Sequence, residues 1–225
     1  MIEKTPCKIV LVGVHTPLIG DYVDSCTRLG WEISALVKVD DKPARLSDKT
    51  NVILLDKLKS EHINTSFVAA SFSPKRRRYL LATAWRHGFK KSATLVDGSS
   101  VVSTSSVVGM GTYINGMSIV GSSSRIGEYV FINRGCNIGH HVIVGDFASI
   151  GPGVTITSGV AIGEGALIGA GATILPGVHI GNGAVIAAAT RIHQNVPEHT
   201  LAIGTKPELK PIVEGSTVME YFDQE

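Results

Sequence analysis

An aliphatic residue recurs at every sixth position of this sequence from Val96 to Ile192. All seventeen positions in the series are Ile or Val, and no insertion interrupts them. A period of six fits neither the 3.6-residue turn of an α-helix nor the two-residue alternation of one long strand. It predicts short parallel strands separated by sharp turns, with three units closing one triangular coil of 18 residues. Each Ile or Val is predicted to point into the coil, and a small side chain four residues later to fit the corner.

The repeated stretch also has a composition of its own. Between Val96 and Pro197 lie 19 of the 25 glycines, no lysine and only seven of the 40 charged residues. Glycine tolerates the positive φ that sharp turns require. Because most charges lie outside this stretch, the chain is predicted to contain two different architectures.

Charge and composition exclude several classes of protein. The 21 Lys and Arg residues against 19 Asp and Glu leave a net charge of +2, which argues against a nucleic-acid-binding surface. No apolar run approaches the length of about 18 residues that a membrane span needs. Three scattered cysteines predict a reducing compartment, and the first residues lead into a strand-like run without a signal-peptide cleavage pattern. We therefore expect a cytoplasmic protein.

The first 92 residues predict a small Rossmann-like α/β domain. Apolar runs at 8–12, 33–37, 52–55 and 67–70 are predicted strands. Two predicted helices alternate with them, one with an apolar face formed by Ile19, Val23, Cys26 and Leu29, and one that opens at Pro74 and continues to about His87. Strands that alternate with helices indicate a parallel sheet.

Ligands of such sheets bind beyond the carboxyl ends of the strands. Here the carboxyl ends of the strands carry residues 13–16, 40–41 and 70–73. Among these, Gly13, His15, Asp40 and Asp41 are the candidate substrate-binding residues. The two aspartates either hydrogen-bond a base or ribose or form a solvated turn. The loop after the first strand lacks the later glycines of GxGxxG, which disfavours a dinucleotide. The basic run 75–78 is either a solvated helix face or a phosphate contact.

Two of the eight histidines, His140 and His141, occupy turn positions of the repeat. Their side chains are therefore expected to point outward, where a neighbouring subunit could cover them. Imidazole, with an unperturbed pKa near 6.5, is suited to general-base catalysis at neutral pH.

The six-residue pattern resembles that of the hexapeptide-repeat acyltransferases. The resemblance implies a left-handed parallel β-helix and a homotrimer with active sites between subunits. Taken with the α/β region, the whole chain is similar to the NeuD/PglD-like sugar acetyltransferases, on the segments KIVLVG, VDDKP and the junction ATLV. This similarity implies a nucleotide-sugar-binding domain at 1–92, a β-helix acyltransferase domain at 93–200 and a tail at 201–225.

The family motif, an Asn followed by Ile-x-His-[Asp/Glu] and Ile-Gly-[Asp/Glu], matches the stretch from Asn133 to Asp146. The resemblance implies that His140 removes a proton as a sugar amine or hydroxyl attacks the thioester carbonyl of acetyl-CoA. One coil later, Ser158-Gly159 matches the family's backbone oxyanion donor. His141 stands where the family has an acidic residue, so either Asp146 or another residue replaces that acid, or the two histidines share a proton.

Acetyl-CoA, the implied co-substrate, is expected in the groove between two β-helices. Ala170 and Ala188 lie one and two coils after Pro152, where small side chains leave room for a pantetheine arm. Arg191, Lys206 and Lys210 are candidates for the CoA phosphates.

Several alternatives stay open. The acceptor is the amino group of a nucleotide-linked amino-sugar or, second, a sugar hydroxyl of the sialic-acid type. A non-enzymatic sugar-binding or regulatory β-helix protein is a further reading. A metal enzyme of the γ-carbonic-anhydrase type needs converging imidazoles, commonly with two His five residues apart, and no HxxxxH occurs, so no metal is expected.

Overall fold

The computed structural model describes residues 8–40, 42–46 and 52–204. The first region is a four-stranded parallel sheet in the order β3-β2-β1-β4. Its elements are β1 (Lys8–Val12), α1 (Ile19–Arg28), β2 (Glu32–Lys38), β3 (Val52–Leu54), a 3₁₀ turn (Leu55–Lys57), α2 (Ser60–Ile63), β4 (Phe67–Ala69) and α3 (Pro74–Arg86). The predicted strands and both predicted helices are confirmed, whereas the sequence patterns missed the 3₁₀ turn and α2.

Helix α1 buries a different face from the one predicted. Ile19 and Cys26 are buried as expected, but Tyr22 and Ser25 join them and Val23 and Leu29 are only partly buried. The two unexpected residues are buried because α1 packs on the β-helix as well as on its own sheet. Tyr22 stacks on Tyr113 of the β-helix with ring centroids 4.0 Å apart.

The second region is a parallel β-helix of two-residue strands. Strands β5 to β21 each end on one of the seventeen Ile or Val residues of the series, and β22 (Leu201–Ala202) follows them. The strands are Leu95–Val96, Val101–Val102, Val107–Val108, Tyr113–Ile114, Ile119–Val120, Arg125–Ile126, Phe131–Ile132, Asn137–Ile138, Ile143–Val144, Ser149–Ile150, Thr155–Ile156, Ala161–Ile162, Leu167–Ile168, Thr173–Ile174, His179–Ile180, Val185–Ile186, Arg191–Ile192 and Leu201–Ala202. Strands β5 to β21 each pair in register with the strand 18 residues away, for example Ile132 with Ile150, and β22 pairs with β20, 16 residues earlier.

Three sheets form the sides of the coil, and we call them faces 1, 2 and 3. Face 1 contains β5, β8, β11, β14, β17, β20 and β22; face 2 contains β6, β9, β12, β15, β18 and β21; face 3 contains β7, β10, β13, β16 and β19. Faces 1 and 2 meet at the Asn133 corner, faces 2 and 3 at the His140 corner, and faces 3 and 1 at the Asp146 corner. The inward Ile and Val side chains form one continuous core.

The α/β region packs on face 1. The outward side chains of Tyr113, Phe131 and Ser149 are therefore buried, although outward residues of the other faces are mostly exposed. Phe72 contacts Phe131 edge-on at 5.3 Å between ring centroids, and its carbonyl accepts a hydrogen bond from Ser149 Oγ.

The basic run of helix α3 has a role that neither sequence interpretation foresaw. Lys75 is exposed, but Arg77 is only 2% exposed and binds carbonyl groups on both sides of the junction. Its guanidinium donates to the carbonyls of Ser71, Phe72, Tyr129, Phe147 and Ala148 and to Ser149 Oγ, at 2.6–3.1 Å. Burial lowers the pKa of Arg77 to about 10, which leaves it charged at neutral pH. The run therefore fastens the α/β region to the β-helix.

Candidate active site

Polar side chains converge at the carboxyl ends of β1 and β2, as the sequence predicted. Gly13 ends the first strand with φ of +108°, and a Cβ there would lie 2.5 Å from Leu80 Cδ1, so only glycine fits. His15 Nδ1 lies 3.6 Å from Asp40 Oδ1. Asp40 in turn binds Arg76 Nη2 at the start of α3. Asp41 lies outside the described residues.

The charges of this cluster follow from burial and pairing. Burial lowers the pKa of His15, against the opposing effect of Asp40. Burial on its own would raise the pKa of Asp40, but the hydrogen bond from Arg76 and the nearby His15 lower it overall. His15 is therefore neutral at pH 7, and its buried Nδ1 has no hydrogen-bond partner among the described residues. An unpaired donor or acceptor at this edge is available to a ligand.

A cavity of about 370 Å³ opens between the α/β region and the Asn133 corner. Its walls come from the loop after β1, the loop after β4 and three successive coils. The lining residues are Thr16, Pro17, Leu18, Phe72, Asn133, Gly151, Pro152, Gly169 and Ala170. The loop from Gly13 to Leu18 thus runs from the His15 cluster directly into the wall of this cavity. Most of the lining is apolar, and Asn133 is its main polar side chain.

Asn133 is held firmly at this corner. Its Oδ1 accepts hydrogen bonds from Arg134 N at 2.8 Å and from Asn115 Nδ2 at 3.2 Å, one coil earlier. Its Nδ2 donates no hydrogen bond among the described residues. Asp21 of α1 adds to the corner by accepting from Asn115 and Arg134. The amide of Asn133 is therefore fixed by its oxygen, and its nitrogen is free to donate.

The two candidate catalytic histidines lie at the opposite edge of face 2. His140 and His141 are both exposed, as expected for turn positions. Their Nδ1 atoms are 2.9 Å apart and their ring planes are nearly perpendicular, at 89°. The backbone of His141, with φ of +55°, donates to Ser122 O, and His140 O accepts from Gly159 N. The backbones of both histidines are thus locked between the coils above and below.

Ser158 and Gly159 stack directly under the two histidines. A Cβ at Gly139 would lie 2.9 Å from Ser158 N, so the glycine before His140 allows the two turns to approach. Gly159 N is used by His140 O, whereas Ser158 N donates no hydrogen bond among the described residues. Of the two candidates, Ser158 therefore offers the free backbone N–H that an oxyanion needs.

Asp146 is not brought to the histidine pair. It lies six residues further along, at the next corner of the coil, and its Oδ1 accepts a hydrogen bond from Glu128 N at 2.8 Å. Within the chain, the partner of His140 is His141 and not Asp146.

The residues proposed for CoA divide between the corners and face 2. Ala170 and Ala188 are exposed at the Asn133 corner, and Arg191 is exposed on face 2 itself. Lys206 and Lys210 lie outside the described residues. The described candidates on the β-helix, Asp146 excepted, therefore border or lie on face 2.

The sequence predicted the regions of Arg76 and Phe72 without singling out either residue. Arg76 belongs to the basic run and Phe72 to the loop 70–73 after the fourth strand. Leu18 was missed, since an apolar residue in a loop becomes a cavity wall only when another region packs beside it.

The described residues contain neither a metal-binding cluster nor a membrane-spanning helix. Among residues 8–40, 42–46 and 52–204, no three His, Cys, Asp or Glu side chains converge as metal ligands would. No helix in those ranges is long and apolar enough to cross a membrane.

Comparisons with known proteins place this architecture in a family. The profile "Bacterial transferase hexapeptide (six repeats)" matches residues 123–158 and 159–194. A search of the curated proteins found no match. Among solved structures, a histidine-to-asparagine mutant of perosamine N-acetyltransferase from Caulobacter crescentus, in complex with CoA and GDP-perosamine, is 27% identical with a TM-score of 0.79. The match covers 91% of this chain and 97% of that one.

Two more distant structures show the same fold. The acetyltransferase domain of PglB from Neisseria gonorrhoeae, in complex with acetyl coenzyme A, is 23% identical with a TM-score of 0.78, over 88% of this chain and 97% of that one. WeeI from Acinetobacter baumannii is 19% identical with a TM-score of 0.73, over 87% of this chain and 96% of that one. These matches confirm the predicted Rossmann-like α/β region followed by a left-handed parallel β-helix. Residues 123–194 of the chain thus carry the bacterial transferase hexapeptide repeat, and 91% of the chain is similar to a sugar N-acetyltransferase, in agreement with the predicted acyltransferase.

Proposed function

We propose that this protein transfers the acetyl group of acetyl-CoA to the amino group of a nucleotide-linked amino-sugar. The observation that carries the proposal is the cavity beside Asn133, which continues from the polar cluster of the α/β region to the β-helix. A ligand with a polar nucleotide at one end and a sugar at the other fits this path. The 27% identical enzyme, whose structure contains CoA and GDP-perosamine, supports the same assignment.

The α/β region supplies the nucleotide end of the site. Arg76, which binds Asp40, and the unpaired His15 Nδ1 offer polar groups to a nucleotide at the edge where parallel sheets bind ligands. The cavity supplies the sugar end, with Asn133 Nδ2 as a donor and Pro152, Phe72 and Leu18 as apolar walls. Such walls favour a sugar with few hydroxyl groups on one side, because buried hydroxyls without partners are costly.

His140 is the proposed general base, and its place in the coil supports a site that it shares with a second copy of the chain. Asn133 and His140 lie at opposite edges of face 2, with strand β12 (Asn137–Ile138) between them. Because successive corners of a triangular coil point in different directions, we expect that one sugar amine cannot contact both side chains of the same coil. A neighbouring β-helix that lays its His140 corner against the Asn133 corner brings them together.

The exposed faces of the β-helix support such an assembly. Val101 and Ile119 on face 2, with Val107 and Ile143 on face 3, are each about half exposed or more. These faces also carry few charges, which favours packing against copies of the same surface. We propose a homotrimer with the active sites, and the grooves for acetyl-CoA, between subunits.

The test is an assay of thiol release from acetyl-CoA with a panel of GDP-, UDP- and dTDP-linked amino-sugars, with mass analysis of products. We expect one class of nucleotide-sugar to gain an N-acetyl group. A His140→Asn variant should lose at least about 100-fold in kcat, because a general base contributes about 10²–10⁴. His87→Asn, an exposed histidine at the end of α3, is the matched control and should keep its activity.

A subunit-mixing arm tests the shared site. Co-expression of His140→Asn with Asp40→Ala should restore part of the activity that each variant lacks alone, because a mixed trimer contains sites with both residues intact. A wild-type protein that acetylates no member of the panel contradicts the proposed function. Mixed oligomers without recovered activity contradict the shared site.

A further inference from the structure

The histidine pair has an arrangement that the family motif does not contain. His140 and His141 face each other through their Nδ1 atoms at 2.9 Å, a hydrogen-bonding distance. Neither Nδ1 has another hydrogen-bond partner among the described residues. A neutral imidazole carries one N–H, so a bond between two Nδ1 atoms requires one ring to be protonated there and the other to accept. The two rings therefore hold opposite tautomers.

We propose that His141 is a positioning residue: its Nδ1 accepts the Nδ1–H of His140 and leaves His140 Nε2 unprotonated. This inference rests on the proposed function, in which His140 is the general base. His141 then takes the place of the acidic residue of the family motif, but as a neutral acceptor. It fixes the ring orientation and tautomer of His140 without adding a negative charge.

The reaction step that this tautomer allows is balanced. The amine nitrogen of the sugar attacks the thioester carbonyl carbon, the new N–C bond forms, and a proton passes from nitrogen to His140 Nε2. Collapse of the tetrahedral intermediate breaks the C–S bond, and His140 returns the proton to the sulfur of CoA. During the step the pair carries one positive charge, and His141 stays neutral throughout.

The surroundings of the pair contain little other charge. The turns above and below are Ser122-Ser123 and Ser158-Gly159, which are uncharged. The strands that flank the corner, β12 and β13, pair with strands whose outward residues are Ile119, Thr155, Arg125 and Ala161. Arg125 is the one charged residue in that set, and it lies one coil before Ile143. A charge introduced at position 141 is therefore expected to be the nearest charge to His140 among the described residues.

Position 141 allows substitutions that preserve the turn. His141 has φ of +55°, and the equivalent residues of the next two coils, Gly159 and Gly177, have φ of +69° and +71°. Glycine suits this conformation, and asparagine and aspartate tolerate it better than most side chains do. His141→Gly removes the acceptor, His141→Asn keeps a neutral acceptor, and His141→Asp supplies a charged one, all on the same backbone.

The experiment measures kcat, KM and the pH profile of these three variants in the full-length assembled enzyme. His141→Gly should lower kcat about 10- to 100-fold, the usual effect of losing a group that orients a functional histidine, with both KM values nearly unchanged. His141→Asn should recover most of that loss. His141→Asp should raise kcat and move the acidic limb of the profile upward by about one pH unit, because a carboxylate stabilises the protonated imidazole.

Nitrogen-15 spectra of the imidazoles give a readout that needs no substrate. At a pH where both rings are neutral, wild-type His140 should be protonated at Nδ1 and His141 at Nε2. His140 protonated at Nε2 overturns the proposal, as does a His141→Gly variant with unchanged kcat and pH profile. If the wild-type enzyme acetylates no nucleotide-sugar, the proposed function fails, and the spectra alone then decide whether His141 sets the tautomer of His140.

Discussion

The interior of the β-helix and its junction with the α/β region are stabilised by contacts of different kinds. In the β-helix, strands β5 to β21 pair with strands 18 residues away, and the same pairing repeats along the core, as between Ile132 and Ile150. The junction depends instead on individual polar contacts between residues far apart in sequence, such as Arg77 with Ser149 and Asp21 with Arg134. A repeat distributes its stability over many equivalent positions, whereas the junction concentrates it in a few side chains. Substitutions should therefore affect the two regions differently.

Replacing Arg77 should have the largest effect on stability. Arg77→Met leaves several buried carbonyls without a donor, each at a cost of about 1–3 kcal/mol, so we expect the α/β region to lose about 4 kcal/mol. Both tryptophans, Trp31 and Trp85, lie in that region, so tryptophan fluorescence follows its unfolding. Residues 93–202 contain no tryptophan, so the unfolding of the β-helix is followed separately by far-UV circular dichroism. The fluorescence transition should move to lower temperature while the β-helix transition stays in place.

Lys75→Met is the matched control for Arg77. It removes a positive charge from the same helix at an exposed position, where substitutions usually change stability by less than about 0.5 kcal/mol. If the fluorescence transition shifts equally in Arg77→Met and Lys75→Met, the buried contacts of Arg77 do not hold the junction. If the β-helix transition of Arg77→Met moves together with its fluorescence transition, the two regions do not unfold separately.

A core residue of the β-helix should give the next largest effect. Ile150 is fully buried and stacks between Ile132 and Ile168. Ile150→Ala should lower the free energy of unfolding by about 3 kcal/mol through lost burial and the cavity left behind, and Ile150→Val by about 1 kcal/mol. The measurement is denaturant unfolding followed by circular dichroism. If Ile150→Ala loses less unfolding free energy than Ile150→Val does, the neighbouring coils close the cavity. The repeat is then less rigid than a packed core.

The aspartate at the start of the β-helix should give a smaller, pH-dependent effect. Burial alone would raise the pKa of Asp97, but hydrogen bonds from Arg28, Ser25 and Ser99 lower it far below its usual range. Its folded pKa is thus below the unfolded value near 3.9, so its contribution is complete above that value and disappears as the pH falls further. Asp97→Asn should lower the free energy of unfolding by about 2 kcal/mol at pH 7, and by progressively less below pH 4.

Asp24→Asn is the comparison for Asp97. Asp24 lies on the exposed side of α1 and makes no salt bridge among the described residues. Its substitution should change neither the stability at pH 7 nor the slope of stability against pH. If Asp97→Asn keeps the wild-type slope of unfolding free energy against pH, another group is responsible for the acid sensitivity.

The sequence predicted some features of the candidate site and missed others for a definite reason. His140 and His141 were predicted as outward turn residues because the repeat places each residue on a face or a corner. Arg77 was predicted to be solvated or to bind phosphate, because four basic residues on a helix do not indicate which one the fold will bury. Asp146 was a candidate partner of His140 because it is near in sequence, but six residues carry the chain to the next corner.

The sequence by itself determined the β-helix, its register and the outward position of the histidine pair. Period six leaves one arrangement in which the Ile and Val residues of the six-residue series all point into the coil, so the hydrophobic effect selects it. Only the tertiary structure decided which face carries the α/β region, how Arg77 joins the two, and where the cavity beside Asn133 forms. Those features depend on side chains up to 113 residues apart, such as Asp21 and Arg134, whose pairing has no periodic signal in the sequence.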